Sequence, residues 1–304
     1  MESLENSKKS ALIFGCGYLG KPVARRLLQQ GWHVFAMTRR QESATVLKSA
    51  GITPIVADWT RPSTLTDLPV CDRILVAVGW DRSSGQSQYD VYVGGLRNAL
   101  KATNPEANLV YVSSTGVYHQ TGGIWVDESS PCRPSIGSGG WAHLQAEETL
   151  RQQRPASPWT VLRMAGIYGP DRVPRGKDIL SGLPLAAPTA GYLNLIHVED
   201  AANAVIAAWE TNCSERKTYV ISDGHPVIRQ TYYEEIARVL GRPAPSFESA
   251  PPTAMASRRA TTSKRIWNAR MRRDLCPQLA FPDYRAGLRD VLRETRTTIR
   301  PAPR

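Results

Sequence analysis

The chain has 304 residues, of which 41% are hydrophobic and 21% charged, and carries a formal net charge of +11. That balance argues against a disordered or fibrous chain and leaves room for one large domain or two unequal lobes. Its five cysteines (Cys16, Cys71, Cys132, Cys213 and Cys276) lack CxxC or other metal spacing, which argues against a disulfide framework or a zinc site.

The chain opens on MESLENSKKS, polar and without an apolar core, so no signal peptide is expected. No run of about 18 apolar residues follows, and a cytoplasmic chain with no membrane partner is the expectation. ALIF (11–14) predicts a first strand, and KPVARRLLQQ (21–30) a helix with Val23, Leu27 and Leu28 on one face and Gly31 as its stop. HVFAMT (33–38), TPIVA (53–57) and RILVAVG (73–79) predict three more buried strands. A helix over VYVGGLRNALKA (91–102), a fifth strand at LVYVSST (109–115) and a sixth at WTVLRMAGIYG (159–169) follow. Apolar runs alternating with helices predict an α/β fold, a Rossmann-like doubly wound parallel sheet.

The second half is less regular. DRVPRGKDILSGLPLAAPTAG (171–191) reads as a loop, and a helix is expected from near Glu199. KTYVISDG (217–224) reads as a strand, QTYYEEIARVL (230–240) as a helix closed by Gly241, and SKRIWNARMRRDL as a last helix. The expected division is a nucleotide-binding domain over 1–168, rejoined by roughly 195–224, with 169–194 and 225–304 as a smaller substrate lobe. Much of the positive charge falls late, at Arg258, Arg259, Lys264, Arg265, Arg270, Arg272 and Arg273 and in the tail TRTTIRPAPR. Without an aromatic-interleaved basic stripe, that charge argues against nucleic acid; it can also attract a phosphorylated small molecule or an acidic partner, or be merely a solvated face.

ALIFGCGYLG places Gly15, Gly17 and Gly20 between the first strand and the first helix, the context in which GxGxxG binds a dinucleotide pyrophosphate. Gly15 suits the tight turn, Gly17 a close phosphate approach and Gly20 close packing; Tyr18 and Leu19 lie within the same turn. An NAD site usually carries an acid after the second strand, but this chain has Arg39 and Arg40 there and no Asp or Glu between 33 and 40. Arginine suits the 2′-phosphate of NADP, which is the expected cofactor, with NAD as the alternative. Asp58 reads either as an adenine contact or as a cap.

VYVSSTGVY (110–118), LRMAGIYGPDR (162–172), NLIHVEDAANAV (194–205) and YVISDG (219–224), added to the glycine turn, resemble the extended short-chain dehydrogenase/reductase family, the NAD-dependent epimerase/dehydratase group. The resemblance covers roughly residues 11–240, and SKRIWNARMRRDL is similar to the C-terminal helix of an atypical subgroup. It implies that Ser114, beside Ser113 and Thr115, hydrogen-bonds the substrate oxygen. It also implies that Tyr118 and Tyr168 pack and that His197 fixes a loop. Pairing of helices 91–102 and 141–153 across a homodimer is implied as well.

The family's proton donor is a tyrosine four residues before a lysine. None of the eleven tyrosines here has lysine four places on. Aligning AEETL with the family's helix ending puts Gly139 at the tyrosine and His143 at the lysine; a two-residue shift puts Trp141 and Gln145 there. His143, titrating near neutrality, is the candidate replacement acid. The function expected is an NADP-binding oxidoreductase, a reductase or epimerase acting on a carbonyl or sugar-like small molecule. Arg172, Arg175 and Lys177 are candidates to meet a substrate phosphate, and Trp125 and Trp141 either line the site or pack. A catalytically silent NADP-binding regulator or sensor is the alternative from another class.

Overall fold

A computed structural model describes residues 9–211, 216–248 and 263–293. Cys213, Arg258, Arg259 and the tail TRTTIRPAPR lie outside the described residues.

A seven-stranded sheet dominates. β1 (Ser10–Phe14), β2 (His33–Thr38), β3 (Thr53–Val56), β4 (Arg73–Val76) and β5 (Asn108–Ser114) pair in parallel as β3-β2-β1-β4-β5, and β7 (Trp159–Met164) and β11 (Lys217–Ile221) extend the β5 edge. The central strands read as continuous apolar runs because both faces are covered: Ala11, Leu12, Ile13 and Phe14 of β1 are all fully buried, and every residue of β7 is buried. α1 (Gly20–Gln29) buries Val23, Ala24 and Leu27, and the chain leaves it through Gly31 at φ 81°. α2 (Gln41–Ser49), α3 (Gly95–Ala102) and α4 (Gly139–Gln153) are further helices of this kind. The helix expected over 91–102 is two pieces, a π turn over Asp90–Gly94 and then α3.

The chain divides into two compact units. The first comprises Met1–Val117, Cys132–Arg163 and Ala202–Tyr219; the second comprises Tyr118–Pro131, Met164–Ala201 and Val220–Arg304. Small two-stranded ladders characterise the second unit. β8 (Gly166–Tyr168) pairs in parallel with β10 (Leu195–His197), and β6 (Ile124–Val126) with β13 (Lys264–Ile266). β9 (Tyr192–Leu193) and β12 (Val227–Ile228) are antiparallel. Its core gathers Tyr168, Leu195, Tyr232, Ile236, Tyr284 and Leu288, from these ladders, from α7 (Arg229–Leu240) and from the helix Tyr284–Val291.

Two expectations are corrected. WTVLRMAGIYG is two strands, because the ladder leaves the main sheet after Met164 and Gly166 joins Leu195 instead. SKRIWNARMRRDL is not one helix: Lys264–Ile266 is a strand, and only Ala269–Asp274 is helical. The pairing of β13 with β6, some 140 residues away, overrides the local helical spacing. The loop 171–191 contains a short helix, α5 (Gly176–Ser181), and α6 (Val198–Glu210) begins one residue before Glu199. Among the described residues, no helix is long and apolar enough to cross a membrane.

Candidate functional site

The first unit holds a cleft of about 430 Å³ at the carboxyl ends of β1, β2 and β4, where Gly15, Gly17, Arg39, Arg40 and Asp58 converge. The three glycines of the turn differ in what they permit. Gly15 has φ 88°, and a Cβ there would lie 2.6 Å from the Ala77 carbonyl oxygen, so both conformation and space demand glycine. A Cβ on Gly20 would lie 2.5 Å from the Gly15 oxygen, which fixes the helix tightly against the turn. Gly17 has nothing within 4 Å of its Cβ direction and is exposed. That open side is where an approaching group would sit.

No side chain caps α1, and its first turn carries no acid. Of its leading amides, the Lys21 N–H donates to the Gly17 oxygen at 3.0 Å and Pro22 has no N–H, so it is the positive end of the dipole that is available to an anion. Lys21, in that first turn, borders the cleft; sequence reasoning missed it. A cation in that turn opposes the dipole at a small cost, and its place beside the glycine turn is the signal that could have found it. Cys16 also borders the cleft, but burial pushes its thiol up to about 11, with Lys21 partly opposing. Tyr18, Leu19 and Gly20 do not border the cleft: Leu19 is buried and Gly20 packs behind the turn.

At the end of β2, Arg39 and Arg40 lie beside Ser43 and Val46 of α2. Arg39 Nη2 donates to Asp81 Oδ2 at 3.3 Å. Asp58 Oδ1 accepts from the Thr60 N–H at 3.0 Å and the Thr60 hydroxyl at 2.7 Å, the capping geometry, while the residue still borders the cleft.

Ser114 ends β5. Its Oγ accepts from the Gly116 N–H at 3.0 Å, a local turn bond that leaves the hydroxyl hydrogen for another acceptor. Gly116 then meets the start of α4: a Cβ on Gly140 would fall 2.0 Å from the Gly116 oxygen. A Cβ on Gly139 would fall 2.9 Å from the Gln88 carboxamide. These glycines permit close packing; they do not leave a void. Trp141 stacks on Tyr89, with ring centroids 5.3 Å apart.

His143 stacks on Tyr92 at 4.2 Å, and its Nδ1 lies 3.0 Å from the Tyr111 hydroxyl. The residue is half-buried, and burial pushes the imidazole down to about 4, with the Glu147 carboxylate opposing. The expectation of a histidine titrating near neutrality is therefore corrected: at pH 7 the ring is neutral, because its enclosure penalises the cation.

Below it lies a polar cluster that sequence reasoning missed. Glu147, fully buried, accepts from Arg163 through both oxygens (3.0 and 2.7 Å), from the Ser113 hydroxyl at 2.6 Å and from Arg151 at 3.1 Å. Burial alone would raise this carboxyl; the Arg163 bonds and charge, then Ser113 and Arg151, outweigh it and hold it below its usual range. The cluster ties β5, α4 and β7 together through Ser113, the residue before Ser114.

In the second unit, His197 is buried between Phe281 and Tyr168, and its Nδ1 accepts from the Glu199 N–H at 3.3 Å. It holds the start of α6. Arg175 is paired with Asp178 at 2.9 Å. Trp125 packs edge-on to Trp267, with the Arg265 guanidinium 4.7 Å from its ring centre.

Residues 15–211 match the NAD(P)H-binding domain. Protein YeeZ of Escherichia coli (strain K12) is 26% identical over 253 residues, which is 80% of this chain and 88% of that protein. A candidate dihydroflavonol 4-reductase of Synechocystis sp. is 27% identical over 259 residues, 76% of this chain and 72% of its own length. Among solved structures, a candidate NAD-dependent epimerase/dehydratase from Methylobacillus flagellatus is 30% identical. It covers 95% of this chain and 100% of its own, with a TM-score of 0.75.

Proposed function

The chain belongs to the NAD(P)H-binding family, and from that membership we propose that it is an NADP-dependent oxidoreductase of the reductase or epimerase type, acting on a carbonyl or sugar-like small molecule. One observation carries the cofactor reading: the cleft opened by Gly17 runs to Arg39 and Arg40, and the second strand that leads to them carries no Asp or Glu between 33 and 40. The uncapped start of α1 and Lys21 would hold the pyrophosphate, and Arg39 and Arg40 the 2′-phosphate. Asp58 and Val46 would border the adenosine. When bound, the nicotinamide would supply or accept a hydride.

Ser114 would act on the substrate oxygen. Its Oγ is held by the Gly116 N–H, so its own O–H is free to donate where negative charge develops. His143, neutral at pH 7, would not deliver a proton as a cation; it would brace Tyr92 and Tyr111. In this reading the proton reaches the product oxygen from water. The Glu147 cluster would keep β5 and α4 in register, and so would position Ser114 indirectly.

The test is NADPH consumption over a panel of aldehydes, ketones and nucleotide sugars. Turnover of at least one compound is expected, and Ser114→Ala should lower kcat by about 100-fold or more while NADPH still binds. Tight NADPH binding with no turnover across the panel would contradict the oxidoreductase and favour an NADP-binding regulator. A specific feature supports that second reading: no tyrosine in the chain has a lysine four places on, and the candidate replacement acid His143 is uncharged at pH 7.

A further inference from the structure

Arg39 is already engaged within the cleft. Its Nη2 donates to Asp81 Oδ2 at 3.3 Å, with side-chain exposures of 45% and 43%. Asp81 is itself anchored from the other side. Its Oδ1 accepts from the Ser83 N–H at 2.9 Å and from the Ser83 hydroxyl at 2.6 Å, capping the turn Arg82–Ser84. The Ser83 bonds, and more weakly Arg39, hold this carboxyl below its usual range, so it is ionised at neutral pH. Both residues border the cleft. A fixed internal anion thus sits on the cation offered to the dinucleotide.

We propose that Asp81 is a specificity-determining residue of the dinucleotide site: its carboxylate is the internal competitor that a 2′-phosphate must displace from Arg39, so it holds the preference for NADP over NAD below the level that Arg39 and Arg40 alone would give. The proposal rests on the reading of Arg39 as the 2′-phosphate partner.

Removing the Asp81 charge has two opposed effects. Arg39 loses a tether, which weakens phosphate binding, but a half-exposed ion pair orders its partner only slightly. The 2′-phosphate also loses a neighbouring like charge, and a phosphate monoester carries about −1.5 to −2 at neutral pH. The second effect is larger, because it acts on nearly two charges and frees the guanidinium for bidentate bonding. NAD has no phosphate at that position and gains nothing; Asp81 can still accept from a ribose hydroxyl, which Asn does less strongly. Asp81 therefore acts on the ratio and not on dinucleotide binding as a whole.

The experiment is calorimetric titration of the full-length protein, Asp81→Asn and Arg39→Gln with NADPH and with NADH. Asn keeps the side-chain volume and the capping oxygen, so the thermal melt of Asp81→Asn should match the parent and report an intact fold. Asp81→Asn should tighten NADPH about fivefold and leave NADH unchanged or weaker, raising the NADPH-to-NADH preference. An unchanged or lowered preference overturns the proposal. Arg39→Gln should weaken NADPH about tenfold or more and NADH far less. If Arg39→Gln leaves NADPH unchanged, the Arg39 reading falls and the Asp81 proposal falls with it. If Arg39→Gln weakens NADPH and Asp81→Asn leaves the preference unchanged, only the Asp81 proposal falls.

Discussion

His143 and Glu147 lie one turn apart on α4, and their surroundings favour opposite charge states. His143 is enclosed by aromatic rings, and burial lowers it to about 4. A base whose folded pKa is depressed contributes stability fully above its unfolded value, about 6.5, and loses it as pH falls towards 4. Denaturant unfolding at pH 7 and pH 5 should show that loss in the parent, at most ~2 kcal/mol, and a smaller one in His143→Gln. An imidazole resonance that titrates near pH 6.5 would contradict this placement.

Glu147 is a depressed carboxylate, so its contribution is present above about pH 4.3 and is lost in more acidic solution as the folded-state value is crossed. Glu147→Gln removes the carboxylate charge facing Arg163, which is 5% exposed, and should cost about 3–5 kcal/mol. Replacing both partners, as in Glu147→Gln with Arg163→Met, should cost clearly less than the first change alone. Equal losses would mean that the pair is not the unit. In the sequence, Glu147 served only as a mark of helix register. Its real partner, Arg163, lies on β7 and becomes its neighbour only when α4 packs on the sheet, which no local spacing reveals.

At the scale of elements, the glycine turn of β1–α1 was the most legible piece, because the conformational demand and the chemistry fall within six consecutive residues. Its glycines also separate fold from function. Gly17→Ala meets open space and should leave the melting temperature unchanged, yet it should weaken NADPH binding by about tenfold. Gly140→Ala meets the Gly116 oxygen, with backbone on both sides. It should destabilise the protein by ~1–3 kcal/mol. The reverse pattern, with Gly17→Ala unfolding the protein and Gly140→Ala silent, would contradict the roles assigned to both turns. β13 was illegible for the opposite reason: Lys264–Ile266 carries helical spacing, and only its distant partner β6 makes it a strand. Asp81 was passed over because nothing in VGWDRSS shows that its neighbour in space is Arg39.

Across the whole molecule, the alternation of buried strands and helices specified a parallel doubly wound sheet, since its central strands are covered on both faces and carry no polar period. The net charge of +11 stands behind the local cations and favours approach of an anionic ligand, an effect that weakens with salt. The reaction was far less legible than the cofactor, because none of the eleven tyrosines has a lysine four places on and no other local pattern names a proton donor. The central claim is that the first unit's cleft takes a nicotinamide dinucleotide and prefers the 2′-phosphorylated form. Titration of the unmodified chain with NADPH and with NADH, at fixed low salt, tests it most directly. NADPH binding at least about fivefold tighter than NADH is the predicted result; equal or tighter binding of NADH, or binding of neither, would contradict the account.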